Sequence, residues 1–388
     1  MRGFSHSTLL LATYLVSLFY ALHFALPLYI ESSYLSVFLA EKWLGLLYAL
    51  SSIFGGIFVI YIAEHLNRFT NYRTTIVFMV AEIIALIGLA FSGNTFLSAG
   101  LFVVHQMLLT IIYVTLNIYL EELSSDRETG GIRGVFLTIL NLGILVAPLI
   151  AGFIFAEDAF RSVFLMSAFL LVPALILTML ILHDVKEPRY KRVHAKRALR
   201  DIIRNSDLRN IFLCQFLLEL FYAIMVIYGP IHLSHTVGIP LEKVLGIIMP
   251  FALLPFVIFP YELGRLADSR LGEKEILTTG FIIIGIFTLF IPFVESTSLV
   301  VWALLLFATR VGASFIESMA SVYFYKKIDG RDSSVIALFN STRVAALLVA
   351  PVAASIALIF FPTNALFLGL GVLMFFGTQA ALAIEDTK

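Results

Sequence analysis

Twelve apolar runs occupy most of the chain, and each is long enough for a membrane-spanning helix, which needs roughly 20 residues. Polar positions inside the runs follow the helical period of about 3.6 residues and do not alternate, so a membrane β-barrel is disfavoured. Only short connections remain between them. The runs lie at residues 8–30, 43–63, 74–92, 96–120, 132–156, 161–183, 208–233, 241–262, 276–294, 298–324, 334–360 and 363–384.

The composition excludes several other classes of protein. Of 388 residues, 60% are hydrophobic and 13% are charged, whereas soluble domains carry about 25% charged residues. This apolar excess also excludes a disordered chain, and the single cysteine, Cys214, excludes a disulfide-stapled fold or a cysteine-rich zinc module. Basic and acidic residues number 26 each, so a nucleic-acid partner has no support. We therefore expect an all-α integral membrane protein with twelve transmembrane helices.

The basic residues predict the orientation of the chain. Counted from a cytoplasmic N-terminus, 21 Lys and Arg residues lie in the tails and even-numbered connections or within three residues of them, and three lie in or next to the odd-numbered ones. Because cytoplasmic loops are enriched in these residues, both termini are predicted to be cytoplasmic. The most basic segment, 184–206, places Leu199, Ile202 and Ile203 on one helical face, which predicts an interfacial linker helix on anionic lipid. The alternative is that this segment binds a regulatory partner.

Short motifs of the first half return in the second half. LFYA at 18–21 returns at 220–223, FVI at 58–60 returns at 256–258, and LVAP at 145–148 returns at 348–351. These matches pair runs 1, 2 and 5 with runs 7, 8 and 11. They predict two pseudo-symmetric six-helix bundles of the same hand, related by an axis along the membrane normal. The predicted parts are an N-terminal bundle at 1–183, a basic cytoplasmic linker at 184–206 and a C-terminal bundle at 207–388.

The loop after run 8 carries the most specific motif. Residues 264–274 read GRLADSRLGEK, close to the G-x-L-A-D-R-x-G-R-R signature of the major facilitator superfamily. With six plus six helices and a basic central linker, the whole chain resembles that family. The matching loop after run 2, residues 66–73, keeps Arg68 but has Asn67 where the family has an aspartate.

The resemblance implies a gate at the cytoplasmic edge. Asp268 would face the positive end of a neighbouring helix, while Arg265 and Arg270 would hold carboxylates of the opposite bundle and release them during the cycle. The alternative is that these residues only add to the cytoplasmic positive charge. The predicted gating residues are Arg68, Gly264, Arg265, Asp268, Arg270 and Gly272.

Run 5 is similar to a second motif of the family, one associated with antiporters. Gly134, Gly143, Pro148 and Gly152 match its spacing, and alanines replace two of its glycines. Small residues let helices approach closely, and a proline removes one backbone hydrogen bond and bends the helix. The resemblance favours proton-coupled efflux, whereas the residues themselves predict helix packing.

Runs 4 and 10 carry the clearest signal of a binding site. Each has four polar residues at the same helical spacing, which places them on one face. In lipid such a face must point to protein or to water. In the family that the chain resembles, runs 1, 4, 7 and 10 line the central cavity, where the substrate is expected to bind. The two sets are Gln106, Thr110, Tyr113 and Asn117, and Arg310, Ser314, Glu317 and Ser321.

Four charged residues inside the runs need partners, because a charge at mid-membrane costs about 2.5 to 3.5 kcal/mol. They are two acids, Glu219 and Glu317, and two bases, Arg310 and Arg343. Their depths favour pairing Glu317 with Arg343, and Glu219 with Arg310. In one interpretation a carboxylate takes up a proton during transport when its arginine turns away. In the other, static pairs only stabilise the C-terminal bundle.

The remaining intramembrane polar residues divide into two groups. Glu82 lies in run 3, which is peripheral in the family, and we assign it a structural role; His23 and His105 are interpreted as partners in helix packing. The repeat-related Tyr20 and Tyr222 are predicted to offer rings and hydroxyls to a ligand. No P-loop, G-x-S-x-G, H-E-x-x-H or paired-cysteine motif occurs, so we expect no enzyme, no metal and no other cofactor.

These patterns predict a secondary transporter of a small organic solute that works by alternating access. We expect proton coupling, with export of an amphiphilic compound slightly favoured over uptake of a sugar or metabolite. A different class remains as the alternative, namely a transporter-like receptor or scaffold that carries nothing. The expected partners are the solute, protons and the lipid bilayer, and we expect a monomer in a bacterial inner membrane.

Overall fold

Helices form all the regular structure that is described. The computed structural model describes residues 4–124, 129–155, 160–186, 195–269, 272–328 and 333–385, and no strand occurs among them. Twelve helical segments in these ranges are long and apolar enough to cross a membrane. The prediction of an all-α membrane protein with twelve spans is therefore confirmed.

The twelve segments agree with the apolar runs to within a few residues, apart from span 11, which begins later than its run, and we number them as spans 1 to 12. They are His6–Ala25, Glu41–Ile60, Asn71–Phe91, Thr95–Glu122, Val135–Ile154, Phe160–Asp184, Ser206–Thr236, Leu241–Ala267, Glu273–Phe293, Leu299–Lys327, Thr342–Phe360 and Thr363–Leu382.

Individual helices are shorter than some spans. The α-helices are α1 (His6–Ala25), α2 (Glu31–Ser36), α3 (Glu41–Ile60), α4 (Ile62–Phe69), α5 (Asn71–Phe91), α6 (Thr95–Glu122), α7 (Thr129–Ile154), α8 (Phe160–Ile181), α9 (Ala195–Arg204), α10 (Ser206–Ile231), α11 (Leu241–Lys243), α12 (Met249–Leu253), α13 (Pro255–Ile258), α14 (Pro260–Ser269), α15 (Glu273–Phe290), α16 (Leu299–Lys327), α17 (Ser333–Asn340), α18 (Thr342–Phe360) and α19 (Thr363–Leu382). Two π-helical turns, His232–Thr236 and Val244–Ile248, and two 3-10 turns, Leu182–Asp184 and Ile291–Phe293, continue them.

Large apolar side chains cover the outer faces of the spans. Phe96, Phe153 and Phe360 are among the many exposed aromatic and aliphatic residues. Lipid accepts such side chains but offers no hydrogen bonds, so a spanning backbone must satisfy its own N–H and C=O groups, as a helix does. The same requirement explains why the apolar runs are helical.

Contacts divide the chain into two compact units, Met1–Ala40 with Leu50–Arg192, and Glu41–Ala49 with Val193–Lys388. In the first unit α1 packs against α7 and α8, and α5 packs against α6 and α8. Gly143 in α7 lies so close to α1 that a Cβ atom there would be 2.6 Å from Cβ of Ala21. The small residue at this point therefore sets the separation of the two helices.

In the second unit α15 packs against α16 and α19, and α10 packs against α16, α18 and α19. Gly280 and Gly312 again permit close approach, because a Cβ atom at Gly312 would lie 2.6 Å from the carbonyl oxygen of Gly280. The rings of Phe324 and Phe339 stack with their centroids 3.8 Å apart. Glycines and stacked rings thus hold the helices of this unit together.

Prolines interrupt three spans. Run 1 breaks after α1 at a turn that contains Pro27, and the chain resumes as α2 at Glu31. Span 7 passes from α10, which contains Pro230, into a π-helical turn. Span 8 is divided into α12, α13 and α14 at Pro255 and Pro260. A proline lacks the backbone N–H that a continuous helix requires, and such discontinuities leave polar backbone groups available to a site.

The predicted linker helix is present in part as α9. It packs against α10 and α17. Ile202 is buried there, whereas Leu199 and Ile203 are exposed. Two of the three apolar residues thus remain available to a membrane surface, and the basic residues 189–192 lie outside the described ranges.

Candidate functional site

The polar face of span 4 is partly exposed within the first unit. Tyr113 is 37% exposed, and Gln106, Thr110 and Asn117 are half-buried. The Thr110 hydroxyl donates to the carbonyl oxygen of Gln106 at 3.2 Å, and the Asn117 amide donates to that of Tyr113 at 2.8 Å. Both bonds connect residues four apart in α6, so the four side chains share one helical face.

Gln106 connects this face to a carboxylate that the sequence pattern did not identify. Its Nε2 donates to Oε2 of Glu31 at 2.5 Å. Glu31 is the first residue of α2, directly after the break in run 1, and it is 1% exposed. Because it follows the last residue of run 1, it was not counted among the intramembrane charges.

Glu31 belongs to a group of four buried titratable residues, His23, Glu31, Glu82 and His105, which we call the His–Glu cluster. Nδ1 of His105 is hydrogen-bonded to Oε1 of Glu82, and its Nε2 lies 3.0 Å from Oε1 of Glu31. Nε2 of His23 lies 3.4 Å from Oε1 of Glu82. All four residues are at most 1% exposed.

The cluster joins residues from four helices, α1, α2, α5 and α6. The sequence predicts separate structural roles for His23, His105 and Glu82, because no spacing along the chain relates them. The available signal was that these three titratable residues lie in the interior of apolar runs, which is rare in a membrane protein. Within the described residues, no group of three or more His, Cys, Asp or Glu side chains is arranged to hold a metal ion.

In the second unit, both intramembrane acids accept hydrogen bonds. The Tyr222 hydroxyl donates to Oε2 of Glu317 at 2.6 Å, and Nε2 of Gln215 donates to Oε1 of Glu219 at 3.0 Å. Both acids also interact electrostatically with Arg343 on span 11. All of these residues are predicted from the sequence except Gln215, which stands one helical turn before Glu219.

Arg310 is buried at the other end of the polar face of span 10. It is 3% exposed, and its Nη1 donates to the Thr309 hydroxyl at 2.9 Å. Its guanidinium also lies 5.5 Å from the ring centroid of Phe221 on span 7. The predicted pairing of Arg310 with Glu219 stays a prediction, as does that of the other arginine and acid.

Two of the residues predicted to bind the solute donate hydrogen bonds to backbone carbonyl groups of other helices. The Tyr20 hydroxyl donates to the carbonyl oxygen of Leu109 at 2.8 Å, and the Ser314 hydroxyl donates to that of Pro255 at 3.1 Å. Both residues are buried. In this conformation they join α1 to α6 and α16 to the proline break of span 8.

The predicted gating motif lies mainly on α14, at the end of span 8. Arg265 is exposed, and its Nη1 lies 3.4 Å from Oε2 of Glu262 on the same helix. Gly264 and Asp268 occupy the same helix. The side chain of Asp268 and the whole of Arg270 fall outside what the structure describes, so the gate stays a prediction.

The remaining two residues of that motif, Gly272 and Arg68, lie at helix ends. Gly272 precedes α15, and its N–H donates to Oε2 of Glu275 at 3.0 Å, which satisfies one backbone group at the helix start. In the first unit Arg68 lies over the ring of Phe69, 5.0 Å from its centroid.

The small residues predicted in run 5 lie within one helix. Gly134, Pro148 and Gly152 all fall inside α7, as does Gly143 with its contact to α1. Pro148 is buried and Gly152 is half-buried. The contact at Gly143 shows this helix closely packed against a neighbour of its own unit.

Twelve apolar spans, a repeated pattern of polar helix faces and buried intramembrane charges together define an integral membrane transporter. The chain belongs to the Major Facilitator Superfamily, whose model matches residues 9–351. Members of this family carry small molecules across the bilayer.

Solved structures of transporters have the same fold. The nucleoside transporter NupG is 14% identical over 97% of this chain and 100% of its own, with a TM-score of 0.74, and a mutant form of NupG gives 0.76. A bacterial homolog of the human lysosomal transporter Spinster, inward-facing and unoccupied, is 12% identical over 97% of this chain and 93% of its own, with a TM-score of 0.71. The comparison with curated proteins gave no significant match.

Proposed function

We propose that this protein is a secondary transporter that moves a small organic solute by alternating access and couples that movement to protons. The observation that carries the proposal is the pair of repeat-related polar faces on spans 4 and 10. Such a face inside a membrane requires a polar partner, and a solute that binds and leaves supplies one. Glu317, held by Tyr222, gives the second of these faces an ionisable group.

The residues of the two faces differ in chemistry. Span 4 offers the amides of Gln106 and Asn117 and the exposed ring of Tyr113. Span 10 offers Glu317, with Glu219 nearby on span 7. We propose that the neutral face of span 4 suits an aromatic or hydroxyl-bearing group of a solute, and that the acids of the second unit suit a charged or strongly polar group.

The direction of transport separates two candidate functions. Export of an amphiphilic compound is supported by the similarity of span 5 to the antiporter motif. Uptake of a sugar-containing metabolite is supported by the amides and hydroxyl of Gln106, Thr110 and Asn117, which suit sugar hydroxyls, and by the fold shared with a nucleoside transporter. We place export first, with both termini in the cytoplasm, the chain as a monomer in a bacterial inner membrane, and the motif around Asp268 as its gate.

A binding screen followed by a flux measurement tests this function. Thermal unfolding of the detergent-purified protein is recorded with nucleosides, sugars and amphiphilic amines, and a solute that raises the unfolding temperature is radiolabelled. Proteoliposomes are then given a pH gradient. We expect the gradient to drive accumulation or loss of that solute, and Glu317→Gln to remove the effect while the loop variant Glu295→Gln retains it. Wild-type protein that binds no solute, or flux indifferent to the gradient, would contradict the proposal.

A further inference from the structure

We propose that the His–Glu cluster of the first unit is a site that binds and releases a proton, with Gln106 connecting it to the solute-binding face. This inference rests on the proposed function, because it names the place where the first unit couples protons to transport. It is independent of Glu219 and Glu317, the acids that the sequence pattern selected for that role.

The bonds of His105 require one proton in the cluster. Both of its ring nitrogens face carboxylate oxygens, one on Glu82 and the other on Glu31. An ionised carboxylate only accepts hydrogen bonds, and a neutral imidazole has one donor nitrogen and one acceptor nitrogen. Either the imidazole carries a proton on both nitrogens or one carboxyl group is protonated. This first proton is therefore part of the folded structure.

The ring of His23 provides a place for a second proton. Its Nδ1 faces two acceptors of Ser167 on α8: the carbonyl oxygen at 3.1 Å, and Oγ at 2.9 Å, whose own proton is donated to the carbonyl oxygen of His23. Nδ1 is therefore the nitrogen that carries a hydrogen. The other nitrogen, Nε2, lies 3.4 Å from Oε1 of Glu82.

Nε2 of His23 is the atom of the cluster at which a second proton can bind. Among the described residues, neither Nε2 of His23 nor Oε2 of Glu82 has a hydrogen-bond partner, although both residues are 0% exposed. When His23 is neutral with its hydrogen on Nδ1, both Nε2 and Oε1 of Glu82 can only accept a hydrogen bond, and they lie 3.4 Å apart. A proton bound here converts a repulsive contact into a charge-assisted hydrogen bond.

The second proton changes the net charge of the cluster. With one shared proton, two carboxylates and two imidazoles carry one net negative charge, and with two protons they carry none. Charge buried away from water requires compensation. The groups that face the cluster are supplied by α1, α2, α5, α6 and α8, and besides the four members they include the Tyr20 ring, 6.0 Å from that of His23. Release of the second proton therefore favours a different arrangement of these helices.

Gln106 gives the cluster a route to the solute. Its side chain is half-buried on the polar face of span 4, and its amide donates to Glu31 inside the cluster. A solute that accepts this amide bond takes a donor away from Glu31. Because Glu31 begins a six-residue helix after the break at Pro27, it can shift without straining α1. Solute binding and proton release are in this way linked through one side chain.

Nitrogen-15 NMR of the full chain, labelled at histidine and held in detergent micelles, tests the site without any solute. His23 and His105 are assigned by loss of their signals in His23→Gln and His105→Gln. Spectra are recorded from about pH 5 to pH 8, where unperturbed imidazole groups change charge. We expect Nε2 of His23 to lose its proton as the pH is raised and the His105 signals to shift in the same step. Glu82→Gln should uncouple the two or move the step by at least one pH unit.

Two controls make the outcome specific. His232→Gln removes a buried histidine of the second unit that packs on Trp302 and Phe367, and Glu219→Gln removes an acid of that unit. Neither should alter the His23 and His105 signals. The inference is overturned if those signals stay constant across the pH range in the wild type, or if Glu82→Gln leaves their titration unchanged. Failure of the flux assay with this titration intact would refute the proposed function and not the proton site.

Discussion

The two units place different counter-groups beside their intramembrane acids. In the first unit Glu31 and Glu82 face imidazoles, which gain and lose protons near neutral pH. In the second unit Glu317 faces a phenol, and the nearby bases are arginines, which stay charged. In the first unit either partner of a pair can therefore carry the proton, whereas in the second unit only the acid can gain or lose one.

The largest effect should come from removing the group that links the two acids of the first unit. His105→Leu leaves Glu31 and Glu82 buried without their shared imidazole, and loss of one partner of a buried ion pair costs about 3 kcal/mol or more. Unfolding in mixed micelles should show this loss. The triple variant that adds Glu31→Gln and Glu82→Gln should recover much of it. A single variant as stable as the wild type would show that the cluster holds no charge.

Helix packing gives a second contrast between the units. Gly143→Ala would place Cβ 2.6 Å from Cβ of Ala21 and 2.9 Å from its backbone carbon, so we expect about 2 kcal/mol of destabilisation. The repeat-equivalent position of the second unit already holds a buried alanine, Ala346. Gly100→Ala is the matched control, because nothing lies within 4 Å of its Cβ and alanine favours a helix by about 0.5–1 kcal/mol. Equal stability of the two variants would refute the packing role.

A third change tests the fixed arrangement of the second unit. Tyr222→Phe keeps the ring but removes the donor to Glu317, and a hydrogen bond to a charged group contributes about 1.5 kcal/mol, equivalent to roughly tenfold in affinity. We expect the free energy of unfolding to fall by about that amount, and solute Kd, measured by calorimetry, to rise by up to the same factor because Glu317 is no longer held in place. Tyr325→Phe, at an exposed position near the end of α16, should leave Kd unchanged. An unaltered Kd in Tyr222→Phe would show that Glu317 is not part of the binding site.

The smallest effect is expected at the gating motif. Asp268→Asn should slow solute flux in proteoliposomes several-fold, because a contact that holds one state is weakened, while Kd stays near the wild-type value. Flux at the wild-type rate would refute the gate. The loop would then only add to the positive charge of the cytoplasmic side.

The fold was accessible from the sequence because membrane helices are specified locally. Each apolar run satisfies its own backbone, so length and composition located all twelve spans. The polar face of span 4 followed equally from helical spacing. The His–Glu cluster did not, because it depends on which faces of α1, α5 and α6 meet. His23, His105 and Glu82 are single polar residues in separate runs, and nothing in their spacing relates them.

Glu31 illustrates a different limit. It follows an apolar run that contains Pro27, and a run cannot show whether the residue after it returns to water or folds back into the protein. The break after Ala25 buries it beside His105. Gln215 was missed for a simpler reason: an amide one turn from an acid gains meaning only once the donor is seen to contact Glu219.

Proton movement during solute flux tests the central claim most directly. Proteoliposomes containing a pH-sensitive dye receive the solute found in the binding screen, and internal pH is followed for the wild type and for Glu82→Gln. We predict that the wild type moves protons whenever solute moves, and that Glu82→Gln still exchanges labelled for unlabelled solute but moves no protons. Solute flux without a pH change in the wild type, or an equal pH change in Glu82→Gln, would contradict the account.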